Sequence, residues 1–333
     1  MIPIDAGRHA SPPEHSEPLI EAWTLTTGED GMRTQARGLA AAIADRVHEK
    51  VSPGRDLMNL LRVGRAGRAA VAELEPPWPD VLVSCGRRSI PSALVTRRRG
   101  GERPFLVHIQ DPRGAAARFD FVVAMAHDRI AAGPRVFKVD TALHDLTPSI
   151  LAEAAKPWRV RFERLGAAFA GVVVGGDLKG RPFTMDDTRR LIEGLERMRA
   201  GKNLGLAITP SRRTPPSVRE LLAVTYRDDP SVFVWGLEGD NPYRAILGLA
   251  DRLVVTGDSV SMISEAISTP RSVDVFDLGF RRHAGFLQAL IDSGRVRRFS
   301  GDPAFPANAP PINATDRAAE AVLRILRGSP AHA

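Results

Sequence analysis

Short runs of β-branched and apolar residues alternate with longer amphipathic segments along almost the whole of this 333-residue chain. In the first half, Ala22–Thr27, Asp80–Ser84, Phe105–Ile109 and Phe121–Met125 read as strands, and Thr34–His48, Ala66–Leu74 and Ile90–Arg98 as helices. A helical stretch from Pro148 to Leu165 follows, interrupted by Pro157. Strands then recur at Gly171–Val174, Leu204–Thr209, Val232–Trp235, Leu253–Thr256 and Val273–Asp277. Between and after them, helical patterns fall at Met185–Arg199, Pro216–Val224, Tyr243–Ala250, Val260–Ser268, His283–Ser293 and Ala314–Arg327. Strands separated by helices form parallel sheets covered on both faces, because a parallel crossover needs a helix's length of chain. One sheet is too small for so many strands. The expectation is an α/β chain of two doubly wound, Rossmann-like domains facing a central cleft, residues 19–160 and 161–312. Residues 1–18 read as a disordered lead-in, and 313–330 as a terminal helix that crosses back to the first domain after a Pro-rich linker.

Composition excludes several classes. The single cysteine, Cys85, forbids an internal disulfide, and no His-x-x-x-His or Cys-x-x-Cys spacing suggests a metal. The reading is therefore no metal and a reducing, cytoplasmic compartment. Residues 1–18 lack the apolar centre of a signal peptide, and the longest apolar stretch, about Ala167 to Val174, cannot span a bilayer. The net charge of +7 favours phosphate-bearing partners, yet 6% aromatics without basic interleaving argue against nucleic acid. Arginines at 97–99, with Arg62, Arg65 and Arg68, make either a solvated face or a peripheral contact with anionic lipid on the inner membrane face.

In open parallel sheets, ligands gather beyond the carboxyl ends of the strands. The richest such end is Thr256-Gly257-Asp258-Ser259, after which Ser261, Met262 and Glu265 lie on the next helix. A helix start leaves backbone N–H groups unpaired beside the positive dipole end, which suits a pyrophosphate. Simple capping by Asp258 or Ser259 is the competing reading. Ser211, Arg212 and Arg213 form a second phosphate candidate, Gly175 and Gly176 a close-approach turn, and Trp235 either a base-packing ring or a rim residue. In the first half, Gly28 and Gly31 let the backbone approach a ligand closely, with Gln35 one turn into the next helix, and Gly86 with Arg87 offers an anion pocket. Asp30, His108 and Asp111 are the candidate bases, although a strand histidine is often a core residue. Neither Gly-x-Gly-x-x-Gly nor a Gly-Lys-Ser/Thr loop is present, and with two tyrosines no Tyr-x-x-x-Lys pair supports a dinucleotide-dependent epimerase.

The segments Ser211-Arg-Arg-Thr-Pro, Asn241-Pro-Tyr and Thr256-Gly-Asp-Ser-Val-Ser-Met-Ile-Ser-Glu-Ala resemble the family named for the plant mitochondrial-fission ("elongated mitochondria") protein. Gly28, Gly31 and Gln35, with His108-Ile-Gln-Asp-Pro-Arg, extend the resemblance to about Ala22–Arg298. That family is similar in turn to two-domain glycosyltransferases of the GT-B type. The resemblance implies a donor site at Thr256–Glu265, with Glu265 on the ribose. The expected activity is metal-independent transfer of a sugar from a nucleotide-diphospho-sugar to an envelope or lipid-linked acceptor. No tightly bound cofactor is expected. The alternative is a non-catalytic scaffold that keeps the fold for partner binding, as the plant fission factor's role suggests.

Overall fold

A computed structural model describes residues 19–52, 74–101, 103–178, 180–279, 284–304 and 307–328. The lead-in 1–18, the helix expected at Ala66–Leu74 except for Leu74 itself, and Arg62, Arg65 and Arg68 lie outside the described residues.

Twelve strands are described, in two six-stranded sheets whose neighbours all pair in parallel. The first sheet contains β1 (Glu21–Thr26), β2 (Arg46–Val51), β3 (Val81–Cys85), β4 (Phe105–Ile109), β5 (Phe121–Met125) and β6 (Val136–Val139), in the order β2-β1-β3-β4-β5-β6. The second contains β7 (Ala168–Val174), β8 (Leu204–Pro210), β9 (Val232–Val234), β10 (Arg252–Thr256), β11 (Ser272–Phe276) and β12 (Arg297–Arg298), in the order β12-β11-β10-β7-β8-β9. Each order reverses once, between β1 and β3 and between β7 and β10. At such a reversal the crossovers leave in opposite directions and open a crevice above the strand ends.

The helices are α1 (Asp30–Ile43), α2 (Ile90–Arg99), α3 (Pro148–Ala155), α4 (Arg159–Glu163), α5 (Met185–Arg199), α6 (Pro216–Thr225), α7 (Tyr243–Leu249), α8 (Val260–Ile267), α9 (Ala284–Asp292) and α10 (Ala314–Arg327). Local chemistry starts several of them. Thr184 and Asp187 form a reciprocal capping box on α5, Thr147 caps α3 ahead of Pro148, and Asn313 caps α10.

Alternation along each strand sends side chains to opposite faces. Leu82, Leu106 and Val122 build the core on one face of the first sheet, and Val172, Leu206 and Val254 a core on one face of the second. The other faces meet in one continuous cluster, in which Val83 and Val107 of the first sheet join Val255 and Val275 of the second through Leu143, Leu146 and Val322 of α10. α10 packs on α1 and β6. Thr315 fixes it there, accepting the His144 N–H at 3.0 Å and donating to the His144 carbonyl at 2.8 Å.

The structure corrects two readings and bears out a third. The helix expected to reach His48 stops at Ile43, and Arg46–Val51 is instead the edge strand β2, largely exposed and lacking the apolar run that marks a strand. β6 and β12 were not expected either. As expected, the stretch Pro148–Leu165 is interrupted around Pro157, forming two helices.

Candidate functional site

The two reversal points face one another across a cleft of about 740 Å³. Its walls are the carboxyl ends of β7 (Val173, Val174) and β8 (Thr209, Pro210), and the starts of α1, α7 and α8. α1 and α8 come from different halves yet begin at the same place, since a Cβ on Gly31 would lie 3.4 Å from Ser261 Oγ.

α8 starts at Ser259, whose hydroxyl accepts the Met262 N–H at 3.3 Å. The amides of Val260 and Ser261 donate to no acceptor among the described residues, as a helix's first turn dictates. Ser259, Ser261, Met262 and Glu265 all line the cleft. Glu265 is only 8% exposed and accepts the Tyr243 hydroxyl on Oε2 at 2.6 Å. Burial pushes its carboxyl up to about 7; the Asp145 charge adds to this, while Tyr243, Arg244 and Arg37 oppose it. The Tyr243 phenol is raised well above its ordinary value, by burial first and then by Glu265.

Thr256, Gly257 and Asp258 do not line the cleft; they form the layer beneath it. Gly257 donates its N–H to the Phe276 carbonyl at 2.9 Å, extending the sheet. The Asp258 carboxylate is buried and accepts the Thr256 hydroxyl at 2.6 Å and the Gly176 N–H at 3.0 Å, with Arg213 3.3 Å away. Burial raises the Asp258 carboxyl despite these partners. Thr256 in turn accepts the Gly175 N–H at 2.7 Å. Gly175 and Gly176 are therefore tightly packed beneath the cleft and do not line it. A Cβ on Gly175 would fall 2.0 Å from Asp258 Oδ2, and one on Gly176 2.1 Å from the Arg213 carbonyl oxygen. The expected ring of amides is thus narrower than the sequence suggested, and begins at the helix start.

Ser211, Arg212, Arg213 and Trp235 also line the cleft, Arg213 within 3.3 Å of Asp258 beside the start of α8. The Trp235 indole N–H donates to the Glu238 carbonyl at 2.9 Å, which fixes the ring's orientation. Arg212 reaches across to Asp30, at 3.4 Å, both side chains being well exposed.

Of the three candidate bases only Asp30 lines the cleft. His108 is wholly buried against Phe119, its Nδ1 2.8 Å from Ser84 Oγ, and burial lowers its pKa to about 3. It faces the outer core with Leu106, the face that strand alternation assigns it. Asp111 turns back on its own loop and accepts the Arg113 N–H at 2.8 Å. Gln35 donates to the Gly31 carbonyl at 3.1 Å and is buried. Gly28, with φ of 93°, makes the turn into α1 in open space. Gly86 lets Met32 pack against the backbone, and neither it nor Arg87 lines the cleft. On the surface thought basic, Arg97 pairs with Asp120.

Sequence reading missed Arg33, Arg37, Asp145 and Arg244, all on the cleft wall. A signal existed for the first two: Asp30, Arg33, Thr34 and Arg37 follow the spacing of one helical stripe. None existed for Asp145, which sits in irregular chain before α3. Among the described residues no cluster of three His, Cys, Asp or Glu side chains is placed to hold a metal, and no helix is long and apolar enough to cross a membrane.

Comparison with known proteins adds lineage to this geometry. A family model described as "Mitochondrial fission ELM1" matches residues 30–326. The mitochondrial fission protein ELM1 of Arabidopsis thaliana is 32% identical over 279 residues, covering 76% of this chain and 64% of that protein, so the chain spans less than two thirds of that relative's length. Among solved structures, the UDP-GlcNAc 2-epimerase of Methanocaldococcus jannaschii superposes with a TM-score of 0.63 at 12% identity, over 93% of this chain and 99% of that one. The catalytic domain of starch synthase IV from Arabidopsis thaliana, bound to ADP and acarbose, superposes with a TM-score of 0.51 at 9% identity, over 94% and 99%. At these identities the likeness is one of fold, and the fold is GT-B-like.

Proposed function

The chain belongs to the mitochondrial fission ELM1 family, and from the cleft and the GT-B-like fold we propose a glycosyl transfer from a nucleotide-diphospho-sugar to an envelope or lipid-linked acceptor. One observation carries the reading. The start of α8, the Arg212–Arg213 loop and the buried carboxyl of Glu265 share a single cleft at the facing reversal points of two Rossmann-like sheets. Phosphate oxygens would take the free amides of α8 and the guanidinium forks, both of which stabilise charge on a leaving diphosphate. Glu265 would accept from the ribose hydroxyls through Oε1, Oε2 being taken by Tyr243. The held ring of Trp235 offers a face to the base, and Asp30, on the opposite wall, is the remaining candidate to deprotonate an acceptor hydroxyl. The nucleotide-sugar and ADP named for the two structural neighbours support the donor class. The net charge of +7 favours an acceptor bearing phosphate, as lipid-linked sugars do.

Isothermal titration with UDP-GlcNAc, GDP-mannose and ADP-glucose tests the proposal. Binding of one of them, lost in Glu265→Ala and followed by sugar transfer or release, is the expected result. Product analysis in the same reaction separates transfer from epimerisation of the donor. No binding of any donor at millimolar concentration refutes the nucleotide site and leaves a scaffold that binds protein partners.

A further inference from the structure

Three side chains that the scheme above leaves unused converge on the same cleft. Arg37 comes from α1 in the first half, Arg244 from the first turn of α7 in the second, and Asp145 from the chain between β6 and α3. Arg37 Nε and Arg244 Nη2 both donate to Asp145 Oδ2, at 2.8 and 2.7 Å, and Arg37 Nη2 donates to the same oxygen. The Asp145 side chain is 7% exposed, whereas the two arginine side chains, on the cleft wall, are 38% and 36% exposed. Each arginine thus spends part of its donor fork on a buried anion. Arg244 presents its remaining donors to the cleft, while Arg37 Nη1 lies 3.4 Å from Glu49 Oε1, a long, part-exposed contact that an incoming phosphoryl would displace.

We propose that Arg37 and Arg244 form a two-sided clamp for a phosphoryl group, with Asp145 as the positioning residue that orients both. The clamp makes the cleft select a nucleoside diphosphate over a monophosphate. This rests on the nucleotide reading above and deepens it by naming what holds the second phosphoryl. Planar guanidiniums match phosphate oxygens in pairs, and a shared buried carboxylate removes the rotamer freedom that they would otherwise lose on binding. The segment that carries Asp145 is also tied to α8. The Ala142 N–H, three residues before Asp145, donates to Ser264 Oγ on that helix at 2.9 Å, and both groups are buried. One phosphoryl at the α8 amides and the next between Arg37 and Arg244 would therefore bridge both halves of the protein.

The test is titration of wild-type protein with UDP, ADP and GDP and with the matching monophosphates, repeated for Arg37→Gln, Arg244→Gln, Arg244→Lys and Asp145→Asn. Wild type is expected to prefer one diphosphate by ~10-fold or more, the scale of a charged hydrogen-bonded contact. Each Gln variant should largely abolish that preference, and Arg244→Lys, which keeps the charge and the tie to Asp145, should reduce it in part. Asp145→Asn gives the sharpest result, because it removes a negative charge from the cleft. Charge alone predicts tighter diphosphate binding, whereas loss of orientation predicts weaker binding. Tighter binding in Asp145→Asn, or a preference unchanged in both Gln variants, overturns the clamp while leaving the nucleotide site standing. Absence of any nucleotide binding by wild type overturns both.

Discussion

Glu265→Gln should make this protein more stable at alkaline pH while weakening its hold on ligand. The carboxyl is 8% exposed, and burial raises its pKa from 4.5 to about 7. An acid whose folded-state pKa lies above its unfolded value binds its proton more tightly when folded. Its contribution to stability is full below pH 4.5 and is lost as pH climbs through 7. At about 1.4 kcal/mol for each pKa unit, the loss between those limits is about 3 kcal/mol. Glutamine has the same shape, stays neutral, and retains an oxygen for the Tyr243 hydroxyl, so it avoids that loss. Urea unfolding at pH 4.5 and pH 8 measures the effect. The variant should match wild type at the lower pH and exceed it by about 2–3 kcal/mol at the higher, the lower figure allowing for a weaker Tyr243 bond to an amide. A difference that does not change with pH would refute the assignment of a strained, buried carboxylate to this position. The same substitution should weaken nucleotide binding, because an amide accepts hydroxyl hydrogens less strongly than a carboxylate. Stability given up at a carboxylate on the cleft wall is what a binding role predicts.

Gly175→Ala should cost about 1–3 kcal/mol in thermal or chemical unfolding, since its Cβ would lie 2.0 Å from Asp258 Oδ2 and must displace the buried carboxylate that holds the loops. His144 is buried with neither ring nitrogen hydrogen-bonded among the described residues, and burial lowers its pKa from 6.5 to about 4, the Asp145 charge opposing this. For a base so depressed, stability is full above pH 6.5 and falls as pH drops towards 4. His144→Gln should therefore shift the acid-unfolding midpoint, followed by circular dichroism, to lower pH. Asp111→Asn should leave ligand affinity within ~2-fold of wild type in the same titrations, because Asp111 closes its own loop outside the cleft.

Much of the architecture could be read without coordinates. Strand and helix are written in local periodicity, so Met185–Arg199 and Ala314–Arg327 were read to the residue and every core strand to within three. The alternation of the two implied parallel, doubly wound sheets. Edge strands escaped for the same reason: β2 pairs on one side only, stays largely exposed, and needs no apolar run. At the cleft, sequence marked the ends of β8 and β10 and the start of α1, but also the ends of β3 and β4, which lie outside it, and could not tell a residue on the cleft wall from one that supports the floor. Ser259 and Asp258 are adjacent in the chain, and both are favoured helix caps. One lines the cleft, while the other is buried under it by Gly176 and Thr256, more than 80 residues away or on its own turn. The Arg37–Asp145–Arg244 arrangement spans separations of 108 and 99 residues, and no periodicity encodes it. Sequence by itself determined the elements and their parallel order, because backbone geometry and side-chain alternation act over a few residues. Only tertiary packing decided which side chains share the cleft, because burial and the meeting of charges across two sheets are properties of the assembled chain.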